Sequence, residues 1–280
     1  MDLRIFLAVV VAALLHASWN LIVKLNLDRF LSIFLLQCFM GLMGLAMLAA
    51  FPLPAAASFP FALASGALHM GYNLFLARSY RTGDLSQVYP IARGSAPLMT
   101  FAAAWLFAGE GVGAVTAAGI LLLVAGIWLT GMTGSRRLRL DGMTLASALA
   151  TSGFIAAYTV IDGLGGRASD SPSAYAGLVF LLDGLFMLIV GIAVRGYGIF
   201  RAVLPYWRSG ITGAALSACA YWIVIWAMTR AHIAAVAALR ETSILFVMIM
   251  SMTVLKERVT GLRVAGAALI VMGAVALRLG

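Results

Sequence analysis

Ten runs of apolar residues, each about long enough to cross a bilayer, leave this 280-residue chain little room to be anything else. A spanning helix takes about 20 apolar residues at 1.5 Å of rise each. The runs fall at about 3–23, 30–50, 59–79, 86–107, 113–132, 143–162, 173–194, 209–228, 234–255 and 261–278. The breaks between them carry Pro52 and Pro54, Gly83-Asp84, Gly109 to Gly113, the basic run Arg136 to Arg139, and Gly165-Gly166. One longer polar connector, Arg195 to Arg208, holds Gly196, Gly198 and Pro205. A mean hydropathy of +1.04 with only 10% charged residues excludes a soluble globular enzyme. The first run imitates a signal peptide but continues into Trp19, Asn20 and Lys24 and has a counterpart later in the chain, so it reads as a mature helix. Cys38 and Cys219 both sit inside apolar runs and read as small buried residues rather than a disulfide. The expected fold is an all-α integral membrane protein of ten transmembrane helices.

The 19 basic residues, 17 of them Arg, outnumber 10 acidic ones and give a net charge of +9. On a soluble domain that excess would point to nucleic acid; on a chain of apolar runs it marks connectors lying against anionic lipid heads. No nucleic-acid partner is expected.

Sliding the sequence against itself by 147 residues pairs Arg93 with Arg240, Glu110 with Glu257, Gly119 with Gly266 and Gly126 with Gly273 without a gap. Nine of the 34 positions from 93 to 126 are identical, including the rare Arg and Glu, which apolar composition alone would not align. The chain reads as a duplication, 1–134 and 135–280. Five spans per copy is an odd number, so the second copy enters the membrane from the opposite side. Inverted repeats of this kind build many secondary transporters, with the site near the midplane between the halves.

Gly109-Glu110 followed by Gly119-x6-Gly126, repeated as Lys256-Glu257-Arg258 followed by Gly266-x6-Gly273, resembles the end of an EamA domain of the drug/metabolite transporter superfamily. The opening run Ala17-Ser18-Trp19-Asn20-Leu21-Ile22-Val23-Lys24 is similar to the start of one, and Ala157-Tyr158-Thr159-Val160-Ile161-Asp162 is a looser counterpart in the second copy. The resemblance covers the whole chain and implies two inverted five-helix repeats around a central cavity lined by spans 1, 3, 4, 6, 8 and 9. It also implies alternating access, an inner-membrane setting in a bacterium, and small metabolites such as amino acids as cargo. Thirteen basic residues follow spans 1, 3, 5, 7 and 9 against four on the other face, which by the positive-inside rule puts both termini outside. The family's usual arrangement has them inside.

No HExxH, GxxxxGK[ST], CxxC or Ser-His-Asp pattern is present, so neither catalysis nor a metal or organic cofactor is expected. The informative residues are polar side chains inside apolar spans, which are costly there and mark function by default. Arg93 and Arg240 each lie about seven residues into a span, about 10 Å deep. Pro90, Gly94 and Pro97 around Arg93 predict a disturbed helix with freed carbonyls. His69, Tyr72 and Asn73 share one face of span 3, and His16, Trp19 and Asn20 one face of span 1, both at i, i+3, i+4. Glu241 is the best carboxylate for a substrate ammonium. Asp183 stands alone in span 7 and predicts a buried hydrogen bond or an ion pair to an Arg on a neighbouring helix. Glu110 and Glu257, at the ends of spans 4 and 9, read as orienting or gating salt bridges. The candidate substrate contacts are Trp19, Asn20, His69, Tyr72, Asn73, Tyr89, Arg93, Tyr158, Trp222, Arg240 and Glu241.

The leading expectation is an exporter of small zwitterionic amino acids, driven by the substrate gradient or by a coupled proton or other ion. A small dianion, such as a phosphonate or sugar phosphate, is the second, because two deep Arg residues are generous for one carboxylate. A non-transporting membrane scaffold is the alternative of another class. The paired glycines of spans 5 and 10 let helices approach closely and could serve a homodimer contact.

Overall fold

The computed structural model describes residues 1–26, 29–82, 85–131, 142–253, 256 and 260–280, with the side chains of 23–26, 29, 73, 74, 76–82, 85–90 and 144 outside the description. Among the described residues all regular structure is helical. The helices are α1 (Leu3–Asn26), α2 (Arg29–Ala50), α3 (Phe59–Thr82), α4 (Leu85–Ala108), α5 (Ala114–Gly131), α6 (Gly142–Ala168), α7 (Pro172–Arg195), α8 (Gly198–Val203), α9 (Trp207–Met228), α10 (Ile233–Arg240), α11 (Ser243–Thr253) and α12 (Gly261–Leu279). Eight stretches among the described residues are long and apolar enough to cross a membrane. The outer surface carries exposed Leu7, Leu42, Leu63, Trp105, Leu121 and Ile189, as a lipid-facing wall should.

Helix ends follow local chemistry. Pro172 opens α7, where its missing N–H costs nothing, and Gly196 closes it at φ +64°, donating its N–H to the Ile192 carbonyl at 2.8 Å. The chain then turns through the short α8, whose flanks carry exposed Tyr197, Leu204 and Trp207 beside Arg201 and Arg208, a composition suited to the bilayer interface.

Helix pairs set the architecture: α1 packs on α9, α3 and α4 on α6, α2 on α7, and α5 on α12. Lipid supplies no hydrophobic drive between helices, so close approach through small residues has to do the work. On α5 and α12 that approach is backbone against backbone. A Cβ at Gly126 would meet the Gly266 carbonyl at 2.6 Å, and one at Gly273 would meet the Gly119 carbonyl at 2.7 Å. The pair Gly41 and Gly44, which sequence alone does not distinguish from background, is equally committed: a Cβ at Gly184 would lie 2.8 Å from Gly41 Cα, and one at Gly177 2.9 Å from the Gly44 carbonyl.

Three expectations are corrected. The helix around Arg93 is not disturbed: α4 runs unbroken through Pro90 and Pro97. The break lies in the ninth span instead, at Glu241-Thr242, between α10 and α11. There Glu241, Thr242, Ile244 and Leu245 each donate N–H three residues back, to Ala238, Leu239, Glu241 and Thr242, at 2.9–3.1 Å. The Thr242 hydroxyl bonds the same Leu239 carbonyl at 2.7 Å, a local competitor that tightens the turn without any proline. Finally, Cys219 is exposed and Cys38 half-buried, and both are free thiols. The 134/135 boundary, the basic run Arg136 to Arg139, and Glu257 and Arg258 lie outside the described residues.

Because the α5–α12 seam leaves no room for a side chain, Gly126→Val should destabilise the detergent-solubilised protein by about 1–3 kcal/mol. Gly153→Ala, on a helix with open space around its Cβ position, should be neutral or slightly stabilising. Thermal unfolding of the two variants beside the parent checks this, and equal midpoints would refute it.

Candidate functional site

The unwound turn at the α10–α11 junction presents Glu241, whose side chain is 2% exposed, to two guanidinium groups. Arg93 from α4 places Nη1 at 3.3 and 3.4 Å from the two carboxylate oxygens, and Arg240 places Nη2 at 3.6 Å from Oε1. Arg240 is 5% exposed and its Nε is buried without a partner. A guanidinium offers five donors in a fixed fork, so Arg240 holds unused capacity for an acceptor.

Arg93 also places Nη2 at 2.9 Å from His16 Nε2 on α1. Arginine can only donate, and so can the Trp19 indole, which donates toward His16 Nδ1 at 3.3 Å. A neutral imidazole accepts on one nitrogen only, so the two donors compete for His16. Asn20 is held by its own helix, its amide donating to the His16 carbonyl at 2.8 Å.

Beside the charges stands an aromatic wall from α3, α6 and α9. His69 stacks on Tyr158 with ring centroids 4.1 Å apart, and Tyr72 and Tyr221 meet Tyr158 edge-on at 6.1 and 6.4 Å. Asp162, fully buried, fixes this wall from behind: it accepts the Tyr221 hydroxyl on one oxygen and the Tyr175 hydroxyl on the other at 3.1 Å. Ser152 of α6 ties the helix of Arg93 in place by donating to the Ala92 carbonyl at 2.8 Å.

Away from the charged cluster, Glu110, 7% exposed in the α4–α5 connector, ties several elements together. One of its oxygens binds Arg167 at the end of α6, and the other accepts the Ile233 N–H at the start of α10 at 2.8 Å. Arg167 also donates to the Met228 carbonyl at 2.9 Å and the Ala231 carbonyl at 3.0 Å. One carboxylate therefore locks three connections to each other, a salt bridge of the orienting kind that the sequence suggested for this residue.

Of the eleven candidate contacts, Arg93, Arg240 and Glu241 form the charged cluster, with Trp19 and Asn20 grouped around His16. His69, Tyr72 and Tyr158 form the wall. Trp222 is turned elsewhere, its indole donating to Ser173 at 2.9 Å and its ring packing on Phe51. The side chains of Asn73 and Tyr89 lie outside the described residues. Asp183 is buried as expected, but its partner is His69, Nδ1 to Oδ2 at 3.4 Å, in place of an Arg. His16 joins the charged cluster although sequence reasoning gave it only as a member of a polar stripe; its i, i+3 spacing to Trp19 was the available signal. Among the described residues no group of His, Cys, Asp and Glu could hold a metal ion.

The profile of the EamA-like transporter family matches residues 142–279. A protein known from its crystal structure superposes over 100% of this chain and 98% of its own with a TM-score of 0.80 at 17% identity, so the two share a fold. No curated protein matches the chain in sequence. Residues 142–279 are an EamA-like transporter domain, and this chain, an integral membrane protein, belongs to the drug/metabolite transporter superfamily.

Proposed function

We propose that this protein exports small zwitterionic amino acids or related metabolites across a bacterial inner membrane by alternating access between two inverted five-helix repeats, 1–134 and 135–280. The observation that carries the cargo is the meeting of Arg93, Arg240 and Glu241 at a helix break beside an aromatic wall. Arg240 takes the substrate carboxylate beside Trp19 and Asn20 of the first helix; Glu241 takes the ammonium; Tyr72, Tyr158 and His69 face the side chain. Asn73 and Tyr89 are kept as contacts on sequence grounds, and Trp222, turned to Ser173, is left out of the site.

The repeat reading is supported by element positions. A shift of 147 residues carries α1 onto α6, α2 onto α7, α3 onto α9, α4 onto α10 and α11, and α5 onto α12. It also carries the contact of Gly119 with Gly273 onto that of Gly266 with Gly126, as a pseudo-two-fold requires. With α3 and α4, each of 24 residues, added to the eight apolar stretches, the spans number ten. The Glu110 lock closes one face in this state, and alternating access requires it to open.

A second cargo is favoured by one feature: two guanidiniums share a single carboxylate, and a phosphonate or sugar phosphate would use both. Counterflow in proteoliposomes separates the two, with labelled L-alanine and L-threonine beside 2-aminoethylphosphonate and glucose 6-phosphate. The expected result is saturable amino-acid exchange reduced at least about 100-fold by Arg240→Ala, the cost of removing a charge-assisted bidentate contact. Flux confined to phosphorylated solutes would replace the cargo, and silence from folded protein would reject transport of these classes.

Loss of the Glu110 lock should favour opening of its face. Glu110→Gln is expected to raise the labelling of a Thr242→Cys reporter by a membrane-impermeant maleimide about tenfold, corresponding to about 1.4 kcal/mol. An unchanged rate would remove Glu110 from gating.

A further inference from the structure

Away from the charged cluster, α2, α3 and α7 enclose a pocket with room for about one water molecule, lined by Gln37, His69 and Asp183 among Met70, Phe186 and Met187. Asp183 is 8% exposed, and its Oδ1 is buried with no hydrogen-bond partner; Gln37 Oε1 in the same pocket is also without one. The other Asp183 oxygen lies 3.4 Å from His69 Nδ1, and the Ser65 hydroxyl shares that nitrogen at 3.3 Å. An acceptor oxygen left unmatched at membrane depth is costly, and two of them on one pocket call for a donor.

The charges give the sign of what is missing. The ionisable groups held inside this region besides the histidines are Arg93 and Arg240 on one side of the count and Glu241, Asp162 and Asp183 on the other, two cations against three anions. Glu110 and Arg167 already neutralise each other. One positive charge would balance the set. Of the two carboxylates nearest His69, Asp162 has both oxygens occupied by Tyr175 and Tyr221, whereas Asp183 has one to spare. A hard metal cation would want six or more oxygens; the pocket offers two and an imidazole.

We propose that the pocket of Gln37, His69 and Asp183 is a proton-binding site, with the His69–Asp183 pair carrying one proton and Gln37 accepting from the donor placed between them. Its use as a coupling site, through which a proton gradient drives transport, rests on the transporter reading above; binding of the proton does not. The groups facing His69 are Ser65 and Tyr72 of its own helix, Tyr158 and Asp162 of α6, Asp183 of α7, Tyr221 of α9 and, through space, Arg240. His69 stacks on Tyr158 within the aromatic wall, so the proton sits at the wall's edge nearest α7.

The chain has three histidines, so nitrogen-15 NMR of histidine-labelled full-length protein sees few imidazoles, and His69→Gln identifies the relevant one. The expected result is that His69 changes between charged and neutral forms within about pH 5 to 9, and that Asp183→Asn moves the midpoint by about one pH unit or more. A His69 signal constant over that range, or a midpoint indifferent to Asp183→Asn, overturns the site whatever the protein carries. Gln37→Leu, which alters the same pocket without removing a charge, is expected to move the midpoint as well and serves if Asp183→Asn does not fold; indifference to it would then overturn the site. In proteoliposomes active in counterflow, Asp183→Asn should keep exchange within about threefold of the parent and lose an acceleration of about tenfold imposed by a pH gradient. Equal acceleration in the variant overturns coupling through this pocket. Absence of counterflow in the parent would count against the transporter reading alone, since the NMR result stands by itself.

Discussion

A carboxylate buried between two guanidiniums is the constraint around which the interior is arranged. Either arginine alone would neutralise Glu241, and the second leaves the trio one positive charge in excess in a medium that penalises it. Three consequences follow in the surrounding structure. The α10–α11 helix opens a turn to present the carboxylate, α4 stays straight to deliver Arg93, and α1 supplies His16 as the acceptor for the second arm of Arg93. The polar groups of α3, α6 and α9 then satisfy one another around Tyr158, so that most of the hydrogen-bonding capacity of the region is consumed. What remains, at Arg240 Nε, Gln37 Oε1 and Asp183 Oδ1, is where a ligand or a proton has something to gain.

The spans were legible because crossing a bilayer imposes a length and an apolar content that few other demands imitate. Arg93, Arg240 and Glu241 were legible for the related reason that a charge in such a span must be answered by something. Arg93 and Arg240, which align when the sequence is slid against itself by 147 residues, both reach Glu241.

The parts that sequence misplaced depend on directions finer than a helix face. Pro90 and Pro97 promised a break that α4 does not show, while Thr242, an unremarkable residue in a sequence, makes one through its own hydroxyl. Asp183 was expected to find an arginine because arginine is the common partner at depth, yet the helix packed nearest its side chain offers His69. Trp222 shares a face with Trp226, but a single acceptor, Ser173, decided where its indole points. The committed roles of Gly41 and Gly44 depended on which helix would lie against them, and small residues three apart carry no such address.

At the seam between α5 and α12, Gly119, Gly126, Gly266 and Gly273 bring peptide groups together with no rotamers of their own to immobilise, while Leu123, Ile270 and Leu277 pack against them. Ordering a long side chain costs about 1–2 kcal/mol of conformational entropy, and ordering a glycine side chain costs nothing. In lipid, where association gains nothing from excluding water, that saving helps to keep the two helices together.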